Sequence, residues 1–287
     1  MSRSIVACAV DTGETTIVRV KSTGPATSKV TACRTIRYGL DALIGPKTSR
    51  AVGKMSDELS QWNDEPVAIS ISPRKILTLP TWFPAGAMQE ERKILSRIEA
   101  GFFVNQIDEW LWHTLPLARQ QSHPESFEEQ IILFYPAEPA QQIETELGRK
   151  RKIESMGLHF ESLVSLSSGS TAPMAVLELE EQYAAFMVSK GGRAEYFRYW
   201  PVNNATEREF FAITELSSSP TRVVKVTGLA SEAGVIKRIA AGTSCRIEPL
   251  TLPPQVTFSS PIKGSPSPTG VVRAVSTALM ALYSSKN

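Results

Sequence analysis

At 287 residues the chain is long enough for two lobes, because single hydrophobic cores stop growing at about 250–300 residues. Hydrophobic residues make up 42% and charged residues 21% of the chain, which is typical of a globular protein. The formal net charge of +2 gives no electrostatic case for binding DNA or RNA.

Cysteine content and hydropathy indicate the compartment. Cys8, Cys33 and Cys245 are widely spaced and odd in number, which fits neither a disulfide framework nor a zinc pattern. We interpret them as small buried apolar residues in a reducing compartment. No run approaches the 18 or so apolar residues of a membrane span, and Asp11 and Glu14 interrupt any signal-peptide core. We therefore expect a cytoplasmic protein.

The first part of the chain predicts a β-meander followed by a helix and a further strand. These elements are strands 4–10, 16–20 and 30–39, a helix around 50–62, and strand 66–72. The bend between the first two strands, Asp11-Thr12-Gly13-Glu14, has the composition of a tight turn.

The middle of the chain predicts alternating helices and strands. The apolar stripe Ile94, Leu95, Ile98 and Phe102 predicts a helix over 87–104. The following elements are strands 108–117 and 131–135, a helix over 140–156 ended by Gly157, and strand 159–166.

A Ser- and Gly-rich stretch at 165–173 indicates a lobe boundary, after which the strand-turn-strand pattern returns. The later elements are strands around a Gly191-Gly192 turn, a helical segment 205–216, strand 222–227 ending at Gly228, a helix over 231–241 and a last helix over 269–283. Prolines at 253–268 exclude a central strand or helix there and predict an extended surface connection.

The order of these elements resembles the actin-like ATPase superfamily, and within it the PilM-like branch of type IV pilus assembly proteins. The stretches that carry the resemblance are IVACAVDTGETTIVRV, VAISISPRKILTLPTWFPAGAMQEERKILSRIEAGFFVNQIDEWLWHTLPL, IILFYPAEPAQQIETELGRKRKIESMGLHFESL, RVVKVTGLASEAGVIKRI and the closing GVVRAVSTALMAL. Together they span most of the chain.

The resemblance implies an α/β, two-lobed, ribonuclease H-like fold with mixed sheets and an inserted small subdomain. We expect a first lobe over 1–172, with the insert at about 66–127, and a second lobe over 173–287. The C-terminal helix 269–283 is expected to pack back on the first lobe. Only about twenty residues separate Pro201 from Arg222, so we expect a shortened second lobe, in which the family's subdomain is missing or reduced to one helix.

The resemblance also implies where a nucleotide would bind, and the sequence departs from that pattern. The first phosphate hairpin keeps Asp11, Thr12 and Gly13 but continues with Glu14. The second reads Glu178-Leu179-Glu180-Glu181, without its glycine. The adenosine motif reads Gly228-Leu229 instead of paired glycines. Because carboxylates repel phosphates, we interpret Asp11, Thr12, Gly13, Glu178 and Gly228 as a vestigial nucleotide cleft and expect neither ATP nor Mg²⁺.

Several residues allow two interpretations. Asp11 is either a magnesium- or water-positioning carboxylate or a turn residue that accepts backbone hydrogen bonds. Glu178, Glu180 and Glu181 are either a metal-binding patch or exposed or lobe-facing strand charges. Trp82 and Phe83, in what we predict to be a proline-flanked loop, are candidate partner contacts if exposed. The histidines are scattered, so no zinc site or other metal site is predicted.

Two functions follow from the resemblance. One is a scaffold at the inner face of the inner membrane that binds the N-terminal cytoplasmic tail of a PilN-like membrane partner, as a pseudo-ATPase related to the GspL cytoplasmic domain of type II secretion. The alternative is an active ATPase or small-molecule kinase. A homo-oligomer is compatible with either function.

Overall fold

The computed structural model describes residues 3–24, 27–44, 48–118, 127–259 and 267–283. Its strands are β1 (Ser4–Val10), β2 (Thr15–Ser22), β3 (Ser28–Ile36), β4 (Val67–Ile71), β5 (Leu77–Pro84), β6 (Trp110–Pro116), β7 (Phe127–Pro136), β8 (Ile153–Leu158), β9 (Met174–Leu179), β10 (Tyr183–Lys190), β11 (Arg193–Pro201), β12 (Val223–Thr227), β13 (Arg246–Pro249) and β14 (Val256–Phe258). Its α-helices are α1 (Thr48–Leu59), α2 (Gln89–Phe103), α3 (Ala137–Gly148), α4 (His159–Val164), α5 (Ala205–Ser218), α6 (Ala233–Ala241) and α7 (Pro268–Tyr283).

Two larger sheets repeat one connectivity. The first has the order β14-β3-β2-β1-β4-β8 and the second the order β11-β10-β9-β12-β13. In each, an antiparallel three-stranded meander is followed by two strands parallel to its first strand. The repeated pattern confirms the predicted mixed sheets. β1 is a continuous apolar run and is buried from Ile5 to Val10, as expected for a central strand covered on both faces.

A third, three-stranded sheet has the order β5-β7-β6. Its core contains Phe83 of β5, Ala100 of α2, and Ile132 and Phe134 of β7. The edge strand β6 leads to a bridge between Leu117 and Ala194 of β11, where the Ala118 amide donates to the Ala194 carbonyl at 2.6 Å. This bridge joins the small sheet to the second larger sheet.

The chain divides into two compact units, each made of separate stretches of sequence. Unit 1 comprises Met1–Pro73, Pro136–Gly169 and Thr251–Asn287, and unit 2 comprises Arg74–Tyr135 and Ser170–Leu250. The small sheet thus groups with the second larger sheet, whereas we predict from the sequence that the insert at about 66–127 belongs to the first lobe. The lobe boundary at 172 and 173 stays a prediction, and part of the insert, residues 119–126, lies outside the described residues.

Helix α7 packs against β1, β2 and β4 within unit 1. Its buried face carries polar residues as well as apolar ones. The Thr277 hydroxyl donates to Ser70 Oγ at 2.7 Å, and the Ser276 hydroxyl lies 3.1 Å from that of Ser162 on α4. The first hydrogen bond ties α7 to β4 and the second ties it to α4, so these buried polar groups have the partners that they need.

The predicted helix over 140–156 is wrong at its C-terminal end. α3 stops at Gly148, and Ile153–Leu158 form β8, with Gly157 inside that strand. The predicted strand 159–166 is the helix α4. In the intervening basic turn, Arg151 donates to the carbonyl of Leu59, the last residue of α1, and to the Trp62 carbonyl at 3.1 Å. This arginine therefore anchors the C-terminal end of α1.

Two segments of the second half of the chain can be compared with the expectations from the sequence. Between β11 and β12 the chain forms the single helix α5, as the short spacing predicts. In the proline-rich segment, Val256–Phe258 pairs in parallel with β3 as an edge strand. Residues 260–266 of that segment lie outside the described residues.

The three cysteines are free and buried, which confirms the prediction for their packing. Burial raises the pKa of Cys8 to about 12 and that of Cys33 to about 11, so both thiols stay protonated and inert. Among the helices of the described residues, none is long and apolar enough to cross a membrane.

Candidate functional site

The turn between β1 and β2 contains Asp11, Thr12, Gly13 and Glu14, as predicted. The Asp11 amide donates to the Glu14 carbonyl at 2.9 Å and closes the turn. Asp11 is only 3% exposed, whereas Gly13 is exposed. The turn therefore presents backbone at its tip and holds the carboxylate inside unit 1.

Arg273 of α7 is the partner of the Asp11 carboxylate. Its guanidinium donates to Asp11 Oδ1 in an ion pair with the arginine 1% exposed. A buried charge is tolerated only when it is paired and hydrogen-bonded. The negative charge that would attract Mg²⁺ is thus compensated by the chain itself, which favours the structural interpretation of Asp11.

The segment after β3 packs directly under this turn. The Leu40 amide donates to the Asp11 carbonyl at 2.8 Å, and the Asp41 amide donates to the Thr12 carbonyl at 3.1 Å. A Cβ on Gly39 would lie 2.1 Å from the Asp11 carbonyl oxygen. Only glycine allows this approach, so the turn is supported by backbone contacts that need no ligand.

The corresponding turn of unit 2 joins β9 to β10. Glu178 is 2% exposed and Glu180 is 9% exposed, whereas Glu181 is exposed. Glu178 Oε1 accepts a hydrogen bond from the Tyr183 hydroxyl at 3.1 Å. The first two carboxylates are therefore buried in unit 2 and are not exposed strand charges.

Glu180 takes part in the turn through both its backbone and its side chain. Its carbonyl accepts a hydrogen bond from Arg208 Nη1 at 3.0 Å, and its Oε1 accepts one from the Leu229 amide at 3.2 Å. Arg208 belongs to α5 and is 7% exposed. The Glu180 carboxylate thus accepts from the Leu229 amide just after β12. This is the stretch that the sequence resemblance relates to an adenosine motif.

Gly228 is required by the packing of two strand ends. Its φ of +107° lies in the region that favours glycine, and a Cβ there would lie 2.1 Å from the Leu179 carbonyl oxygen. The Ala230 amide donates to that same carbonyl at 3.0 Å. β12 pairs with β9, so Gly228 and Glu178 come together in unit 2, as Asp11, Thr12 and Gly13 do in unit 1.

These contacts do not fit a magnesium nucleotide. In unit 1 the carboxylate is paired with Arg273, and in unit 2 the Glu180 carboxylate holds the Leu229 amide. A phosphate brought to the second turn would face the negative charge of Glu180 and the exposed charge of Glu181. No chemical step is therefore assigned to either turn.

Trp82 and Phe83 lie in the strand β5, not in a loop. Trp82 is 47% exposed and Phe83 is only 2% exposed, because successive side chains of a strand point to opposite faces. Phe83 belongs to the core of the small sheet. Only Trp82 therefore remains a candidate partner contact.

Two arginines that contact these turns, Arg208 and Arg273, were not predicted from the sequence to lie there. Arg273 carried a signal, because it is the one charged residue of the apolar helix GVVRAVSTALMALY. A charge on a helix buried all round requires a buried partner. Arg208 sits among other charged residues of α5 and gave no comparable signal.

Structural comparison identifies proteins with a similar fold. The chain aligns with a chain of the PilM–PilN type IV pilus biogenesis complex at a TM-score of 0.74 and 13% identity, covering 97% of this chain and 98% of that chain. The chain has a PilM-like, actin-like fold. This confirms the predicted fold class; at such identity the likeness concerns the fold alone.

Two further structures align over most of the chain. The cytoplasmic domain of EpsL, an inner membrane component of the Vibrio cholerae type II secretion system, gives a TM-score of 0.52 at 10% identity, covering 96% of this chain and 95% of that chain. A Bacteroides thetaiotaomicron protein with an actin-like ATPase fold and unknown function gives 0.49 at 10% identity, covering 96% of each. No family model and no curated protein matches the sequence.

Proposed function

We propose that the chain is a non-catalytic scaffold of a type IV pilus or type II secretion-like assembly, acting in the cytoplasm at the inner face of the inner membrane. The observation that carries this proposal is the alignment with the PilM–PilN complex over 97% of the chain. The alignment with EpsL, an inner membrane component of a secretion system, supports the same setting. Both are similarities of fold, so the assembly itself is the part to be tested.

The proposed ligand is the N-terminal cytoplasmic tail of a PilN-like membrane protein. An extended tail binds through backbone pairing and a few side-chain contacts. β5 is at the edge of the small sheet of described residues, and its Trp82 is 47% exposed. We place one contact of the tail at this side chain, because exposed aromatic residues dominate many protein interfaces.

The proposal includes the absence of ATP hydrolysis. Each hairpin turn uses its carboxylates for contacts within its own unit: Asp11 with Arg273, and Glu180 with the Leu229 amide. An ATPase would need a carboxylate directed at magnesium or water. The internal partners support a scaffold over an ATPase or a small-molecule kinase.

The test is direct binding of a tail peptide. A fluorescein-labelled peptide with the cytoplasmic N-terminal sequence of a PilN-like protein from the same genome is titrated with the full chain, and anisotropy is measured. We expect saturable binding that a scrambled peptide does not show. Trp82→Ala should weaken it about tenfold, and Phe210→Ala, which removes an aromatic side chain 62% exposed on α5, should not.

Two results would contradict the proposal. One is the absence of saturable binding by the tail peptide. The other is steady ATP turnover by the purified chain that a folded Asp11→Ala variant lacks, which would support the enzyme instead.

A further inference from the structure

Unit 2 contains a pocket of about 320 Å³ that neither hairpin turn uses. Its apolar wall includes Phe186, Val188 and Pro220, and its polar wall includes Glu195, Tyr196 and Glu215. Pockets of this volume, apolar with a few convergent polar groups, are typical of small-ligand sites. The pocket therefore has the lining of a small-ligand site.

A β-bulge brings Glu195 to the pocket. The pairing of β10 with β11 joins Val188 to Tyr196 and then Ser189 to Ala194, so Glu195 is the extra residue. In a regular strand Glu195 and Tyr196 would point to opposite faces, yet both line the pocket. A bulge re-aims side chains in this way and is common beside functional sites.

Glu215 supplies the second carboxylate, in the last turn of α5. Its side chain is 9% exposed, and its Oε1 accepts a hydrogen bond from the Tyr196 hydroxyl at 2.5 Å. Burial, together with this hydrogen bond, raises the pKa of Tyr196 to about 12, so the phenol stays a neutral donor. The C-terminal end of α5, which also lines the pocket, carries the negative end of the helix dipole.

Arg198 is a cation of the chain that lies near the Glu215 carboxylate and would compete with a ligand for it. Arg198 Nη1 lies 4.0 Å from Glu215 Oε2, but its side chain is 60% exposed. An ion pair that is mostly solvated is weak, and Arg198 is not part of the pocket wall. The wall thus combines two carboxylates and a helix C-terminus with an apolar face.

We propose that this pocket binds a small organic cation, an ammonium or guanidinium group on a short apolar stem. The charged head would lie against Glu195 and Glu215, and the stem against Val188 and Pro220. The polar and apolar walls match the two ends of such a ligand. The site goes beyond the proposed scaffold function and does not depend on it, because it uses neither β5 nor the hairpin turns.

The test is isothermal titration calorimetry of the full chain with n-butylguanidinium. Its matched control is n-butylurea, which has nearly the same shape but no charge. We expect one saturable site for the guanidinium and binding at least about tenfold weaker for the urea. N-acetylarginine methylamide is titrated in parallel. Tighter binding than n-butylguanidinium would indicate an arginine side chain presented by a peptide, and weaker binding would indicate a free small cation.

Variants of the pocket residues show where the cation binds, and Arg198→Gln should change the affinity in the opposite direction to the glutamate variants. Glu195→Gln and Glu215→Gln should each weaken n-butylguanidinium about tenfold, because each removes a facing charge. Arg198→Gln should strengthen binding, because it removes the competing cation. The control Glu144→Gln, at an exposed position of α3 in unit 1, should leave the affinity unchanged. If Glu215→Gln fails to fold, Glu195→Gln still tests the site, because it retains the Tyr196–Glu215 hydrogen bond.

Equal affinity for the guanidinium and the urea would overturn the proposal, as would no saturable heat with either. Unchanged binding in a folded Glu195→Gln variant would also overturn it. Because none of these measurements involves a tail peptide, their failure leaves the scaffold proposal to its own test.

Discussion

At the first hairpin turn, the charges of Asp11 and Arg273 are both buried and depend on each other. Arg273→Met should lower the free energy of unfolding by about 3–5 kcal/mol, because it leaves an uncompensated buried carboxylate. The double variant with Asp11→Asn should recover part of that loss. Urea denaturation measures both, and Arg149→Met, which removes an exposed arginine, is the control. A single variant as stable as the parent would show that the pair is not buried in solution.

The two glycines of the nucleotide pattern, Gly13 and Gly228, differ in how much space a Cβ would have. Gly228 has a positive φ and a backbone oxygen where a Cβ would be, whereas nothing lies within 4 Å of a Cβ on Gly13. Gly228→Ala should therefore cost about 2–3 kcal/mol, and Gly13→Ala should stay within about 0.5 kcal/mol. Thermal and urea unfolding compare the two; equal losses would contradict this assignment.

Among the contacts between elements, an ion pair connects Arg19 of β2 to Glu65, two residues before the start of β4. Arg19 Nε donates to Glu65 at 2.9 Å and 3.0 Å. Burial raises the pKa of Glu65, but the hydrogen bonds and the charge of Arg19 outweigh it, so the net pKa is lowered. A carboxylate with a lowered folded-state pKa stabilises the fold above its unfolded-state pKa and loses that effect as pH falls through the folded value.

Glu65→Gln should therefore be less stable than the parent at pH 7, and the gap should close below the ordinary glutamate pKa of 4.5. Urea midpoints measured from neutral to acidic pH give the two curves. Glu144→Gln should show no pH-dependent gap. A Glu65→Gln gap that stays constant into acid would exclude this ion pair as its source.

The elements themselves could largely be predicted from the sequence, with an instructive failure around Gly148. The basic residues 149–152 are good helix formers, which extended the predicted helix into β8. In the next segment, Phe160, Leu163 and Val164 have the i, i+3, i+4 spacing of a helix and are all buried. That spacing was the available signal for α4.

The candidate site was predictable only in part. Turn composition identified Asp11-Thr12-Gly13-Glu14, because a turn is specified by local residues. The partners of these turns, Arg273 and Arg208, come from helices far along the chain. Such partners are set by tertiary packing, which the spacing of residues within one segment does not report.

For the molecule as a whole, the scaffold proposal predicts that nucleotide does not change the melting temperature. Millimolar MgATP should leave the melting temperature of the full chain within about 1 °C of its value with Mg²⁺ alone, because a ligand stabilises only a protein that binds it. Differential scanning fluorimetry measures this. An upward shift of several degrees that Gly228→Ala or Asp11→Asn reduces would contradict the interpretation of the turns.

The partner of Asp11 also has a consequence for biosynthesis. Asp11 and Arg273 are separated by 262 positions, which at roughly 5–20 residues per second is a delay of tens of seconds on the ribosome. During that interval the nascent β1–β2 hairpin carries a carboxylate whose counterion has not been translated. Native burial of this aspartate, with its charge compensated, therefore waits until α7 has left the exit tunnel.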